Sequence, residues 1–308
     1  MISCRICNKD FDSERGLHGH LKQHCVTMAE YYTEYFPRKN KLTGDPLPFK
    51  NKKDYFSKDF SSRAQLLKWC GRAGKEELGE YALKMLRQRV ESKGLKRAPS
   101  HLELKISELP DVDSFVRAFG SYTSACNLVG VPPLFGKRLP ESFLSEETEG
   151  LKVFIDTREQ KPLVFSRSER MKLDFGDYTA AGDDYSYTYI DRKSAGDFVS
   201  TLSLNNLNRF KREVSRAREL DCYLFVLVES DLEKIYKRNK WGPHSSNLRF
   251  IYHNMREVSH QFADSCQFVF TGSRENSEFL IPKILKCGLD LWGVDLQYYI
   301  DCHGLGNR

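Results

Sequence analysis

No apolar run in the sequence approaches the roughly 18 residues that a membrane-spanning helix needs, and the N-terminus lacks a signal-peptide pattern, since Cys4 and Arg5 fall where its apolar stretch would stand. The expectation is a soluble, unexported, cytoplasmic protein. A disulfide framework is missing as well. The nine cysteines (Cys4, Cys7, Cys25, Cys70, Cys126, Cys222, Cys266, Cys287 and Cys302) are odd in number and scattered, apart from the Cys4-x-x-Cys7 pair. That usage points to a reducing compartment and a single metal site. Nor is there a large overall charge: 48 Lys+Arg against 42 Asp+Glu leave +6. The excess is local, however. Between Arg38 and Arg97 stand 17 basic residues against 7 acidic ones, so the rest of the chain is slightly acidic.

What is present divides into segments. At 308 residues the chain exceeds the usual size of one domain, and its 40% hydrophobic content suffices for a core. Residues 1–28 form a compact metal module. Residues 29–55 hold a short aromatic helix, Ala29 to Phe36, stopped by Pro37, and a Lys/Pro/Gly-rich linker, Arg38 to Lys53. Residues 56–136 have helical periodicity, clearest in Gln65 to Trp69 and Leu78 to Val90, with later short helices punctuated by Pro99, Pro110, Gly120 and Gly130. A Glu/Ser-rich linker follows at 137–150. From Leu151 to about residue 290 strands alternate with helices. Lys152 to Asp156, Lys172 to Ala181 and Tyr185 to Arg192 read as strands, the last two joined by the turn Gly182-Asp-Asp184. Helices are expected over Ser194 to Leu204, Leu207 to Leu220 and Asn276 to Cys287. Tyr223 to Val228 is an unbroken apolar strand, which predicts burial on both faces, and Gln267 to Phe270 is another strand. The fold class is therefore α/β, a mixed sheet flanked by helices, preceded by a small ββα module and a helical domain. The tail, residues 291–308, shows no pattern that fixes its structure.

Cys4-x₂-Cys7-x₁₂-His20-x₃-His24 has the spacing of a two-cysteine, two-histidine zinc finger, with Phe11 and Leu17 as its small core. A knuckle supplies two thiolates, and histidines one helical turn apart supply two imidazoles to a tetrahedral Zn²⁺. A module this small folds only with its metal. His18 and Cys25 are nearby alternative ligands. The base-reading positions of such a finger fall on Ser13, Gly16 and Gly19, and two glycines cannot read bases. Phosphate contact, assisted by Arg15 and Lys22, is expected instead.

The stretch Arg97-Ala-Pro-Ser-His-Leu-Glu103, with Leu109 to Val131, resembles the small helical repeats that accompany homing endonucleases. The match lies in Phe119-Gly-Ser-Tyr-x-x-Ala125 and Gly130. The resemblance implies a DNA-gripping module, and the local basic excess suits an electrostatic footprint for phosphate. A solvated helical spacer is the plainer alternative.

The most informative constellation is Ile155-Asp-Thr-Arg-Glu159, then Phe175-Gly-Asp-Tyr178, then Ile190-Asp-Arg-Lys-Ser-Ala-Gly-Asp197. It resembles the XPF nuclease family, whose signature is Gly-Asp, a gap, then Glu-Arg-Lys-x-x-x-Asp, after an Asp-x-Arg-Glu element. Asp191 replaces the family's usual Glu, which keeps the carboxylate and shortens its reach by one methylene. The chemistry of the residues points the same way. Phosphodiester hydrolysis needs a metal, an activated water and a cation near the developing charge. Asp177 and Asp191 fall on adjacent strands, and period-2 alternation places Lys193 on the face of Asp191. Oxygen ligands of this kind favour Mg²⁺ or Mn²⁺. Asp177 and Asp191 are thus expected to bind the metal, Lys193 to orient or activate the water, and Asp156 and Glu159 to be further ligands or their supports. The resemblance adds Arg158, Arg192 and Asp197 as supporting residues. Arg209 and Lys211 on the following helix are candidates for contact with the scissile strand.

The expectation is a metal-dependent DNA endonuclease of homing or phage type. Its rivals are a structure-specific nuclease cutting flaps or branched DNA and a non-cleaving DNA-binding protein. One active site cuts one strand, and the XPF resemblance implies a homodimer through the nuclease domain.

Overall fold

The computed structural model describes residues 2–38, 46–52, 55, 63–107, 109–145, 147–241 and 247–306. Much of the expected linker (39–45 and 53) and the first residues of the helical segment (56–62) lie outside the described residues.

Strands β1 (Ile2–Ser3) and β2 (Asp10–Phe11) pair antiparallel and lead into helix α1 (Glu14–His20), which tightens into a 3₁₀ turn over Leu21–His24. Helix α2 (Met28–Tyr35) starts at a capping box between Thr27 and Glu30. Its Tyr31 and Tyr32 are buried in one apolar cluster with Leu17 and Leu21. The linker residues Leu47, Phe49 and Tyr55 join that cluster. Phe49 stacks on Tyr32 at 5.7 Å, and the Tyr55 hydroxyl donates to the carbonyl of Phe36 at 3.1 Å. The spacer pattern therefore hides apolar anchors that enlarge the finger's core.

The helical segment contains α3 (Arg63–Cys70), α4 (Lys75–Lys93), α5 (His101–Ile106), α6 (Val112–Phe119) and α7 (Tyr122–Val129). The Phe119-Gly-Ser-Tyr122 run has a local cause. Gly120, at φ +81°, ends α6 in the left-handed conformation, and the Ser121 side chain accepts from the amide of Ser124 to start α7. Tyr122 then packs on Phe115 and donates to the carbonyl of Pro99 at 2.8 Å.

After α8 (Ser142–Ser145) comes a six-stranded sheet in the order β4-β3-β5-β6-β7-β8. The strands are β3 (Val153–Asp156), β4 (Ser168–Met171), β5 (Tyr178–Ala180), β6 (Thr188–Lys193), β7 (Tyr223–Val228) and β8 (Cys266–Phe270). β5 runs antiparallel to β3 and β6, whereas β6, β7 and β8 are parallel. Helices α9 (Ala195–Thr201), α10 (Leu204–Glu219), α11 (Leu232–Trp241) and α12 (Leu248–Gln261) supply the apolar residues packed on one face. Helices α13 (Arg274–Cys287) and α14 (Leu296–Cys302) cover the other. β7 contributes Leu224, Val226 and Val228 to the first core and Tyr223, Phe225 and Leu227 to the second, so both its faces are buried.

Three features depart from the sequence pattern. The predicted strand Lys172 to Ala181 is regular only from Tyr178, because the chain turns through Gly176 at φ +57°. β4 carries no apolar alternation, and all four of its residues are exposed at the sheet edge. The linker residue Phe143 and the tail residues Leu296, Ile300 and Leu305 belong to the second core. The helical segment is braced to the sheet domain as well. Glu103, 3% exposed, is bonded by Arg89 at 2.8 Å and His260 at 2.9 Å, and the His101 amide donates to Asp295 at 2.7 Å.

Candidate active site

The sequence motifs meet where β3, β5 and β6 come together. Gly176 fixes the geometry: besides its positive φ, a Cβ there would lie 2.5 Å from the Ile190 carbonyl oxygen. Only glycine lets the chain pass β6 that closely. The next residue, Asp177, is thereby held on β6 at two points. Its amide donates to the Ile190 carbonyl at 2.7 Å, and its Oδ2 accepts from the Arg192 amide at 2.8 Å.

Alternation along β6 puts Tyr189, Asp191 and Lys193 on the α10 side and Arg192 on the other. Lys193 Nζ lies 2.8 Å and 2.9 Å from the two oxygens of Asp191, and both side chains are largely buried. Burial alone would lower the lysine's pKa, but the charge and hydrogen bond of Asp191, with the charges of Asp177 and Glu213, together outweigh it and the net shift is upward. Burial and the charge of Asp191, followed by that of Glu159, push the Asp177 carboxyl far above the usual carboxylate range. Asp177 and Asp191 thus repel each other in one site that also holds Lys193.

Asp156, at the end of β3, is 1% exposed, and its oxygens are occupied. Oδ1 accepts from the Arg158 amide and Nε at 2.7 Å each, and Oδ2 from Arg158 Nη2 at 2.9 Å and the Leu173 amide at 2.7 Å. Burial would raise its carboxyl, but these bonds prevail and hold it at about 2. Asp156 thus anchors the 171–177 turn and aims Arg158, whose guanidinium remains 65% exposed. Glu159 takes Arg192 Nη2 at 3.1 Å on both oxygens, and Glu229 takes Nη1 at 2.8 Å. Arg192 is a brace between two acids. Asp197 forms a reciprocal capping box with Ser194 at the start of α9, which fixes the chain just after Lys193.

Glu213 on α10 was not visible in the motifs. It accepts from the Gly176 amide, and burial and then the charge of Asp191 raise its pKa. Its one sequence signal is its position four residues after Arg209, on the same helix face. With Lys193, Asp197, Asn206, Arg209 and Phe210 it lines a cavity of about 230 Å³. Lys211 lies off that face, roughly 200° around the helix from Arg209.

In the N-terminal module, Cys4, Cys7, His20 and His24 offer four ligand atoms within 4.8 Å of one another, the only such Cys/His/Asp/Glu group among the described residues. Cys7 Sγ lies 3.2 Å from His20 Nε2, Cys4 Sγ 3.8 Å from His24 Nε2, and the two Nε2 atoms 3.0 Å apart. Tetrahedral bonds of 2.0–2.3 Å imply ligand separations of about 3.3–3.8 Å, so the four donors suit one Zn²⁺. His20 Nδ1 pairs with Gln23 at 2.9 Å, the kind of outer bond that orients a ligating imidazole. The alternatives are placed elsewhere: His18 is bonded to the Tyr32 hydroxyl at 2.9 Å, and Cys25 is exposed. Ser13, Gly16, Arg15 and Lys22 lie exposed along this helix. No described helix is long and apolar enough to cross a membrane.

No protein-family model matches the chain, and no curated protein matches it. Among solved structures it is similar to XPF from Aeropyrum pernix in complex with DNA, at 19% identity and a TM-score of 0.34, over 44% of this chain and 63% of that one. A second structure, XPF from Aeropyrum pernix, has the same identity and TM-score over 48% of this chain and 71% of that one. The chain thus spans under two thirds of the first of these, and a likeness so distant carries no function with it.

Proposed function

We propose that the chain is a divalent-metal-dependent DNA endonuclease, with residues 151–290 cutting and the finger and helical segment gripping DNA. The observation that carries this reading is the meeting of Asp177, Asp191 and Lys193 at the end of β6, where the two carboxylates repel each other. The set fits a hard cation: the donors are carboxylate oxygens, and a divalent charge between Asp177 and Asp191 would relieve their mutual repulsion. Mg²⁺ or Mn²⁺ supplies a bound water of lowered pKa and polarises the phosphate.

The protein's own groups do the rest. Asp177 and Asp191 would hold the metal, and Lys193, kept protonated beside Asp191, would orient the attacking water. The exposed Arg158 guanidinium, fixed by Asp156, is placed to meet a phosphate oxygen, and Arg209 borders the same cavity. Asp156, with all its bonds taken, acts as a positioning residue, as do Glu159 and Arg192. Zn²⁺ on Cys4, Cys7, His20 and His24 holds the finger together, and its open, glycine-bearing helix face contacts phosphate. The basic excess between Arg38 and Arg97 supplies further phosphate contacts.

Incubating the full chain with linear, flap and four-way-junction DNA, in Mg²⁺ or EDTA, tests this directly. Mg²⁺-dependent cleavage is expected. Cutting at one position in linear duplex would support the homing-type role, and cutting only at a branch the structure-specific one. Binding without cleavage of any substrate would overturn the enzymatic reading.

A further inference from the structure

Helix α10 leads away from the candidate site along a line of cations. Arg209 borders the cavity beside Lys193. Arg212 and Arg216 are also exposed, and Arg216 lies two turns, about 10 Å, further along. None of the three forms a salt bridge among the described residues.

Where the arginines end, aromatic rings begin. The Arg216 guanidinium covers the Phe175 ring at 5.3 Å, and Phe175 meets Tyr189 edge-on at 5.5 Å. The Tyr189 and Tyr185 hydroxyls are 3.0 Å apart, and Tyr185 in turn packs beside Tyr187 at 4.9 Å. Tyr185 and Tyr187 are 37% and 53% exposed. Tyr187 also has φ +56°, a conformation that a bulky side chain rarely adopts. Beyond its contact with Tyr185, the Tyr187 ring faces solvent. Asp174 is the acid close to Tyr185 and Tyr189, and it disfavours phosphate at this end of the line. The rings there suit the flat face of a base.

We propose that an unpaired DNA strand runs from the candidate site along Arg212 and Arg216, which track its phosphates, and stacks its bases on Tyr185 and Tyr187. Stacking of bases on aromatic rings beside a basic groove is tolerant of sequence, so the platform selects unpaired strands and not particular bases. The assignment rests on the nuclease reading for where the strand begins, and the test separates the two.

The probe is a duplex with a single-stranded tail carrying 2-aminopurine, bound by the full chain in Ca²⁺, with blunt duplex as reference. Tyr187→Gly is the informative variant, because glycine accepts the positive φ and removes only the ring. It should abolish the fluorescence quench on the tail and weaken tailed-DNA binding about tenfold, while leaving binding and Mg²⁺ cleavage of blunt duplex unchanged. Tyr187→Phe should keep the quench. Arg216→Gln should flatten the salt dependence of tailed-DNA binding by about 0.7 in log–log slope, the single-strand value for one phosphate contact. Unchanged quenching in Tyr187→Gly, equal losses on tailed and blunt DNA, or a change only in oligomeric state would each overturn the platform. Tyrosine-dependent quenching without any cleavage would sink the nuclease reading and spare the platform. Cleavage with tyrosine-independent binding would do the reverse.

Discussion

Replacing Gly176 with alanine should be far more damaging than the same change at Gly182, although both glycines have positive φ, +57° and +66°. At Gly182 a Cβ meets nothing within 4 Å, so the cost is the left-handed conformation alone, about 1 kcal/mol. At Gly176 the same Cβ lies 2.5 Å from the Ile190 oxygen and 2.9 Å from its carbon, both backbone atoms of a central strand. Separating the chains adds an overpacking cost of about 1–3 kcal/mol, for a total of about 2–4 kcal/mol. The displacement also carries Asp177 away from Asp191. A misplacement near 1 Å at a reacting centre costs on the order of a hundredfold in rate. Denaturant titration of both variants, with cleavage rates measured well below each midpoint, reads the two effects separately. Equal, small losses of stability and unimpaired cleavage by Gly176→Ala would refute the close approach as the device that places Asp177.

Asp156→Asn should cost about 2 kcal/mol of stability at neutral pH, because a carboxyl held at about 2 instead of its ordinary 3.8 is stabilised by that much. Since the folded pKa is the lower one, the contribution is present above about pH 4 and is lost as pH falls through 2. The gap between wild type and variant should therefore close across that window in acid-denaturation curves, and a pH-independent gap would contradict it. Asp191→Glu should retain measurable cleavage, whereas complete inactivity with an intact fold would mean that the shorter side chain sets the metal's position. Removing residues 1–26 should lower DNA affinity and flatten its salt dependence while leaving cut positions unchanged. Relocated cuts would mean that the finger reads bases.

How far the sequence revealed the molecule depended on whether a residue's role was local. The clustering of Cys4, Cys7, His20 and His24, the helix boundary at Gly120 and the doubly buried β7 all follow from short-range spacing or apolar content, and all were legible. β4 was not, because an exposed edge strand such as Ser168–Met171 needs no alternation. Nor was α14, a seven-residue helix too short for the spacing of Leu296 and Ile300 to set it apart from the apolar residues around it. At the site, alternation correctly paired Lys193 with Asp191. It could not show that four donors already fill Asp156, since Leu173 reaches it through a turn. Glu213 comes from a helix that only the folded chain brings beside β6, and no motif marks it.

Nicking of supercoiled DNA by purified wild type, Asp177→Asn and Asp191→Asn, each scored with Mg²⁺ for cleavage and with Ca²⁺ for binding, tests the assigned site most directly. Mg²⁺-dependent nicking by wild type, with both variants binding normally and cutting nothing, is the expected result. Cutting by either variant at more than a few per cent of the wild-type rate would contradict the placement of the catalytic metal at the end of β6.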